Sequence, residues 1–339
     1  MNTIEVEGLE KRFTTRRKQP GLRGSVRALF SPQTSETIAV DRLSFCIGRG
    51  EVAGFIGPNG AGKSTTLKML TGILHPTAGA ARVLGLTPWR ERKRLAFRIA
   101  SVFGQRSQLW YHLPPADSFG LLAHIYELEP AAYKARLARL VELFAIAPYL
   151  HVPVRRLSLG ERMRCEIAAA LLHRPEVVLL DEPTIGLDVV ARQQIRALVR
   201  RLAAEEGVTV LLTSHDAGDI EQVCSRVLVI NHGALIFDDA LSRLKGAFLR
   251  HKIIDLKLAE EGASLVEPGV TVVEAAPYRL RLEVDTDARP IEGVIADLVG
   301  RYRIADLTIE EPPLDAVIAA IYAAGATQQP VAAGHGGQG

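Results

Sequence analysis

The amino-acid sequence predicts an α/β protein whose main domain is built on a mostly parallel sheet and whose C-terminal part is a smaller α/β domain. Three observations carry this. Short apolar runs at residues 52–56, 99–103, 177–180, 208–212 and 227–230 alternate with stretches of helical character, and strands that alternate with helices lie parallel with both faces covered. A glycine-rich loop opening at Gly57 joins the first of these runs to a helix over residues 64–74. Near His251 the composition changes, and a second series of short elements begins.

In chain order, Ile4, Val6 and Leu9 alternate with polar neighbours and predict a strand over residues 2–9. The chain then turns basic, with Lys11, Arg12, Arg16, Arg17, Lys18, Arg23 and Arg27, followed by prolines, glycines and serines up to Ser35. This reads as an irregular basic insertion over 14–36. Contact with anionic headgroups and a plain solvated loop are both open for it. Val40, Leu43, Phe45 and Ile47 restore a strand over 37–47, and Gly48-Arg49-Gly50 turns the chain into the strand at 52–56. Residues 113–156 lack a strand signal, so a helical subdomain of about 106–160 is expected between two sheet strands. After His251, strands are expected at 253–258, 270–274, 279–284 and 303–309, with a helix at 291–299. Pro312-Pro313 open a last helix, in which Leu314, Val317, Ile318, Ile321 and Tyr322 fall on one face. The domains expected are 1–245 and 250–325, with a disordered tail at 326–339.

At 339 residues the chain is long enough for two domains of ordinary size. With 41 Lys+Arg against 38 Asp+Glu, the net charge of +3 points away from a dedicated nucleic-acid binder. Cys46, Cys165 and Cys224 are far apart with no pairing or metal spacing, as expected in a reducing compartment. No apolar run approaches the roughly 18–20 residues of a spanning helix, and Met1-Asn2-Thr3-Ile4-Glu5 lacks the basic-then-apolar pattern of a leader. The chain is therefore not expected to cross a membrane by itself, and a place on one through a partner stays open.

Gly57-Pro58-Asn59-Gly60-Ala61-Gly62-Lys63-Ser64 fits G-x-x-x-x-G-K-[ST] between a strand and a helix, with Thr65 continuing into the helix. Glycines let successive N–H groups curl around phosphate oxygens, and the helix N-terminus adds positive potential. Lys63 supplies a full charge for the β- and γ-phosphates, and the Ser64 hydroxyl is a Mg²⁺ ligand. The run 177–180 ends in Asp181-Glu182-Pro183. Acids at the carboxyl edge of a parallel strand stand where such sheets bind ligands. Asp181 would hold Mg²⁺, directly or through water, and Glu182 would act on the attacking water as base or orienting group.

Leu157-Ser158-Leu159-Gly160-Glu161, about twenty residues before the acidic strand, resembles the Leu-Ser-Gly-Gly-Gln signature of ATP-binding cassette (ABC) proteins, departing from it at Leu159 and Glu161. Gln105 follows the strand at 99–103 as the family's Q-loop glutamine does. His215 in Thr213-Ser214-His215-Asp216 matches the switch histidine, and Gly186-Leu187-Asp188 matches the D-loop. Phe13 in Leu9-Glu10-Lys11-Arg12-Phe13 resembles the ring stacked on adenine. The likeness covers about residues 2–240. Residues 103–113 with Trp110, residues 157–164, and the phrase Leu307-Thr308-Ile309-Glu310-Glu311-Pro312-Pro313-Leu314-Asp315 resemble the ABC-2 type, export-like class.

The resemblance implies a P-loop NTPase (RecA-like) sheet with an inserted helical subdomain, and an ATP hydrolase using ATP and Mg²⁺. It implies two cassettes closing head to tail, expected to be a homodimer. ATP on residues 57–65 of one copy would meet Ser158, Gly160 and Glu161 of the other, with Asp188 beside them. Glu182, His215 and Gln105 would be catalytic, and Gln105 would also reach the metal beside Ser64 and Asp181. An integral membrane permease would be the partner that the chain drives, from the cytoplasmic face of the membrane, with no nucleic acid bound. The alternative is a soluble ABC-type ATPase of translation or DNA repair. Against it, the chain carries neither a second cassette nor a coiled-coil insertion.

Overall fold

The computed structural model describes residues 2–16, 34–104, 107–248, 251–260 and 268–310, together with 314, 317–319, 321 and 322. The chain divides into two compact units, Met1–Asp238 and Asp239–Gly339.

The first unit opens with β1 (Asn2–Arg16), β2 (Thr34–Gly48), β3 (Val52–Ile56), α1 (Lys63–Leu70), β4 (Ala78–Val83), α2 (Arg92–Ala96) and β5 (Ile99–Phe103). The helical stretch follows as α3 (Pro115–Ile125), α4 (Pro130–Phe144) and α5 (Leu159–Ala170), with short 3₁₀ turns before α5. Then come β6 (Val177–Asp181), α6 (Val189–Glu206), β7 (Thr209–Ser214), α7 (Ala217–Val223), β8 (Arg226–Asn231) and β9 (Ala234–Ala240). One sheet has the order β5-β6-β7-β3-β8-β9, and its β5/β6, β6/β7, β7/β3 and β3/β8 pairs are parallel. β6 is apolar up to its acidic end because both faces of the sheet are covered: Val177, Val178, Leu179 and Leu180 are all fully buried.

The sequence does not announce a second sheet, yet one forms. β2-β1-β4 is three-stranded and antiparallel, and α1 lies between it and the parallel sheet. Leu43 and Ile47 of β2, Leu67, Met69 and Leu70 of α1, and Leu179, Leu211 and Leu228 of the parallel sheet share one core. Each such side chain contributes about 1.5–3 kcal/mol by leaving water, so the helix behind the glycine loop is pinned from both sides.

Two sequence expectations change here. β1 does not stop at Leu9 with an irregular insertion after it. It runs to Arg16, paired with β2 from Lys11↔Val40 to Arg16↔Thr34. The partner strand satisfies its backbone whatever the side chains are, so basic residues on solvent faces are tolerated. The rest of the basic run, Arg17 to Arg27, lies outside the described residues. β4, of sequence AGAARV, carries no β-branched alternation. It exists because the second edge of β1 pairs with it, from Ile4↔Val83 to Glu10↔Ala78.

The second unit holds α8 (Leu241–Phe248), β10 (His251–Leu258), β11 (Val270–Ala276), β12 (Arg279–Asp285), α9 (Ile291–Arg301) and β13 (Ile304–Glu310). The sheet order is β11-β12-β10-β13, antiparallel throughout. Val294 and Leu298 of α9 close a core with Ile254, Leu256, Leu280, Leu282 and Val284. On the sheet residues of opposite parity, oppositely charged pairs join the strands: Asp255–Arg279 at 2.5 Å, Lys257–Asp306 at 2.9 Å and Arg281–Glu310 at 3.7 Å. The expected strands and helix after residue 250 are present, each within two residues of its predicted ends. Leu314, Val317 and Ile318 are helical and buried, while the expected tail at 326–339 lies outside the described residues. No helix among the described residues is long and apolar enough to cross a membrane.

Candidate functional site

The glycine loop leaves the carboxyl end of β3 and opens α1. Two of its glycines are required by close approach. A Cβ on Gly57 would lie 2.5 Å from the carbonyl oxygen of Ile230, and one on Gly62, at φ 106°, would lie 2.3 Å from that of Ala39. Behind the loop, Lys63 is buried. Its Nζ donates to the carbonyls of Gly57 at 2.6 Å and Pro58 at 3.3 Å, and stands 3.5 Å from a Glu182 oxygen. A pocket of about 140 Å³ is bounded by residues 59–65, Ala39 and Glu182.

The β6/β7 register sets Asp181 opposite Thr213. Both the Thr213 hydroxyl, at 2.7 Å, and the Ser64 hydroxyl, at 3.1 Å, donate to the same Asp181 carboxylate oxygen. Glu182 has a left-handed backbone at φ 51°, an uncommon state for a residue with a Cβ. Its N–H holds it there by donating to the Thr213 carbonyl and hydroxyl oxygens, each at 3.1 Å. The Glu182 carboxylate thus stands between Lys63 on one side and His215 on the other, whose Nδ1 is 3.4 Å away. The Gly104 N–H donates to the Asp181 carbonyl at 2.8 Å, and a Cβ there would meet the Glu182 carbonyl at 2.3 Å. The strand leading to Gln105 is therefore pressed against the acidic pair. Gln105 itself lies outside the described residues.

Ser158, Gly160, Glu161 and Asp188 form a separate cluster that does not line this pocket. Ser158 caps α5. Its hydroxyl accepts from the Glu161 N–H at 3.3 Å, while the Glu161 carboxylate accepts from the Ser158 N–H at 2.8 Å. That hydrogen bond holds the Glu161 carboxyl below its usual range. Asp188 caps α6 by accepting from the Ala191 N–H at 2.8 Å. The two caps touch, since a Cβ on Gly160 would lie 2.7 Å from the Cβ of Ala191. Phe13 is on β1, exposed, with the Lys11 ammonium 5.3 Å from its ring centre.

Sequence reasoning missed Ala39, Thr213 and Asp219. Asp219 is buried and accepts from the Ser214 hydroxyl at 3.0 Å, from Arg196 Nε at 2.7 Å, and from the Thr184 hydroxyl. It ties the end of β7 to the loop that follows Glu182. No local pattern marks these residues, because each acts through a strand or helix distant in sequence. Cys165 and Cys224 are buried and free, and burial pushes the Cys165 thiol up to about 12. Among the described residues no cluster of three or more His, Cys, Asp or Glu is grouped to hold a metal.

The family model described as ABC transporter matches residues 40–185. The chain is 35% identical over 286 residues to the Nod factor export ATP-binding protein I of Paraburkholderia xenovorans (strain LB400), an alignment spanning 78% of this chain and 93% of that protein. It is 33% identical over 293 residues to the daunorubicin/doxorubicin resistance ATP-binding protein DrrA of Streptomyces peucetius, spanning 84% and 88%. Among solved structures it resembles cbiO1 from Clostridium perfringens, part of the ABC transporter complex cbiONQ, with TM-score 0.59, 25% identity, and 72% and 91% covered.

Proposed function

The chain belongs to the ABC transporter family, as an ATP-hydrolysing subunit of the ABC-2 type, and from that premise we propose that it drives export through a separate membrane permease, with its residues dividing the work as follows. The observation that supports this best is that Lys63, Ser64 and Glu182 line one small pocket at the carboxyl edge of the sheet, with Asp181 hydrogen-bonded to Ser64 and His215 beside Glu182. The loop N–H groups and the start of α1 cradle the phosphates of ATP. Lys63 moves its ammonium from the loop carbonyls to the β- and γ-phosphates, which carry more negative charge. That movement frees Glu182 to accept a proton from, or orient, the attacking water, with His215 steadying the γ-phosphate side. Ser64 and Asp181 offer a hydroxyl and a carboxylate that already share a hydrogen bond, a hard-oxygen pair suited to Mg²⁺. The ion would neutralise phosphate charge there, and Gln105 is assigned to the same metal and to coupling.

None of Ser158, Gly160, Glu161 and Asp188 lines the chain's own phosphate pocket, so this cluster is assigned to the nucleotide of a second copy. Val189 and Val190, directly after Asp188, are 70% and 64% exposed and fit burial in that closed pair. Phe13 is assigned to the adenine. Trp110, Tyr111 and Leu113, in the segment after β5, with Leu121 and Ile125 of α3, expose an apolar surface suited to the cytoplasmic side of a permease, which would hold the chain at the membrane. The two relatives named above are export and drug-resistance ATP-binding proteins and lend no support to the translation or DNA-repair alternative. The test is purification of the chain with the polytopic membrane protein encoded beside it. Stable co-elution and a Mg²⁺-dependent ATPase stimulated in the complex are expected. A chain that elutes alone and is unaffected by the permease removes the transport assignment.

A further inference from the structure

At the edge of the parallel sheet opposite the phosphate loop, the segments that lead into β3, β5, β6 and β7 border a cavity of about 770 Å³, within the roughly 300–1,000 Å³ typical of small-molecule sites. Arg49, Arg82, Arg98, Arg136 and Arg174 line it. Two of these are committed to neighbours that also line the cavity. Arg98 Nε donates to Glu176 at 2.7 Å. Arg136 donates to both carboxylate oxygens of Glu206, at 2.6 and 2.7 Å, and to the Leu171 carbonyl at 3.1 Å. Each pair offsets its own charge, and the largely buried Arg136–Glu206 pair is held by a two-pronged bond. The guanidiniums of Arg49, Arg82 and Arg174 have no hydrogen-bonded or ion-paired partner among the described residues. They come from three separate places: the turn before β3, strand β4, and the turn before β6. Glu5 stands opposite Arg82 in the β1/β4 register and is the one lining carboxylate that remains after the two pairs.

Three uncommitted guanidiniums against one carboxylate leave a surplus of positive charge in a concave site. There it is screened less than on an open surface, and the planar forks of arginine match carboxylate and phosphate oxygens. We propose that this cavity is a second anion-binding site, for a small molecule carrying two or more negative charges as phosphate or carboxylate groups. It does not overlap the nucleotide pocket. β6 alone, from Val177 to Asp181, puts about 15 Å between the two edges at roughly 3.3 Å per residue.

The test is calorimetric titration of the full chain with Mg²⁺ and a saturating non-hydrolysable ATP analogue, using inorganic pyrophosphate and citrate as probes. Saturable one-to-one binding is expected while the analogue fills the phosphate loop. Arg82→Ala and Arg174→Ala are each expected to weaken it at least fivefold. Both side chains are exposed and unpaired, so the variants should keep the parent melting temperature and basal ATPase rate, which separates this site from the nucleotide assignment. Binding of pyrophosphate alone identifies a phosphorylated ligand, of citrate alone a polycarboxylate, and of both a site read by charge. No saturable heat from either probe, heat abolished by the ATP analogue, or heat that survives both replacements overturns the proposal.

Discussion

The Glu182 carboxylate is 3.5 Å from Lys63 and 3.4 Å from His215, on a backbone held left-handed by Thr213. A side chain fixed this way is suited to act on a water without rearranging. Glu182→Gln keeps the size and the hydrogen bonds, so ATP retention should persist while turnover falls about 10²–10⁴-fold, the usual weight of a general base; single-turnover phosphate release against nucleotide retention reads the difference. Lys63→Ala acts one step earlier. It removes the only charge the loop itself aims at phosphate, so equilibrium binding of a fluorescent ATP analogue should be lost, with the fold retained by far-ultraviolet circular dichroism. At this scale Lys63, Ser64, Asp181 and Glu182 were legible because each sits at a fixed spacing within a contiguous motif. Thr213, Ala39 and Asp219 were not, since their roles depend on which strand lies alongside.

Among the elements, α5 begins with a reciprocal cap whose Ser158 is exposed. Its capping box uses the Ser158 hydroxyl and the Glu161 carboxylate, the residues that the family resemblance assigns to a partner's nucleotide. Glu161 therefore earns its place through the cap whether or not nucleotide is near. Ser158→Ala should cost about 1 kcal/mol, read as a lower denaturant midpoint at unchanged slope. The acid response follows from the depressed Glu161 carboxyl. Its stabilisation is fully present above the unfolded value of about 4.3 and is lost as pH falls through the lower folded value. Glu161→Gln retains an acceptor for the Ser158 N–H and should flatten that part of the stability profile below pH 4.3; an unchanged profile would place the acid loss elsewhere. The sequence marked this segment by its likeness to the family signature, while the reciprocal cap of Ser158 and Glu161 is seen in the fold. It did not mark β4 or the extension of β1, which are strands because a neighbour pairs with them rather than because of their own residues.

For the whole molecule, the proposed function requires the two clusters of the cassette to meet across a pair of chains. One holds the phosphate pocket, and the other places Ser158, Gly160 and Asp188 beside the exposed Val189 and Val190. With hydrolysis blocked by Glu182→Gln, Mg²⁺ and ATP should shift the mass measured by light scattering from one chain to two, and ADP should not. Val189→Asp, adding a charge on the surface to be buried, should abolish the shift without changing ATP binding to the single chain.

By itself the sequence determined the alternation of strands and helices, the phosphate loop, the acidic strand end and the signature-like run at residues 157–161, because each is written in neighbouring residues under short-range constraints of spacing and backbone freedom. Only the tertiary structure decided that Ser64 and Thr213 share one oxygen of Asp181, that α1 lies between two sheets, and that five arginines from separate segments border one cavity. Those facts depend on strand order and register, which arise from hydrogen bonding and packing between segments far apart along the chain.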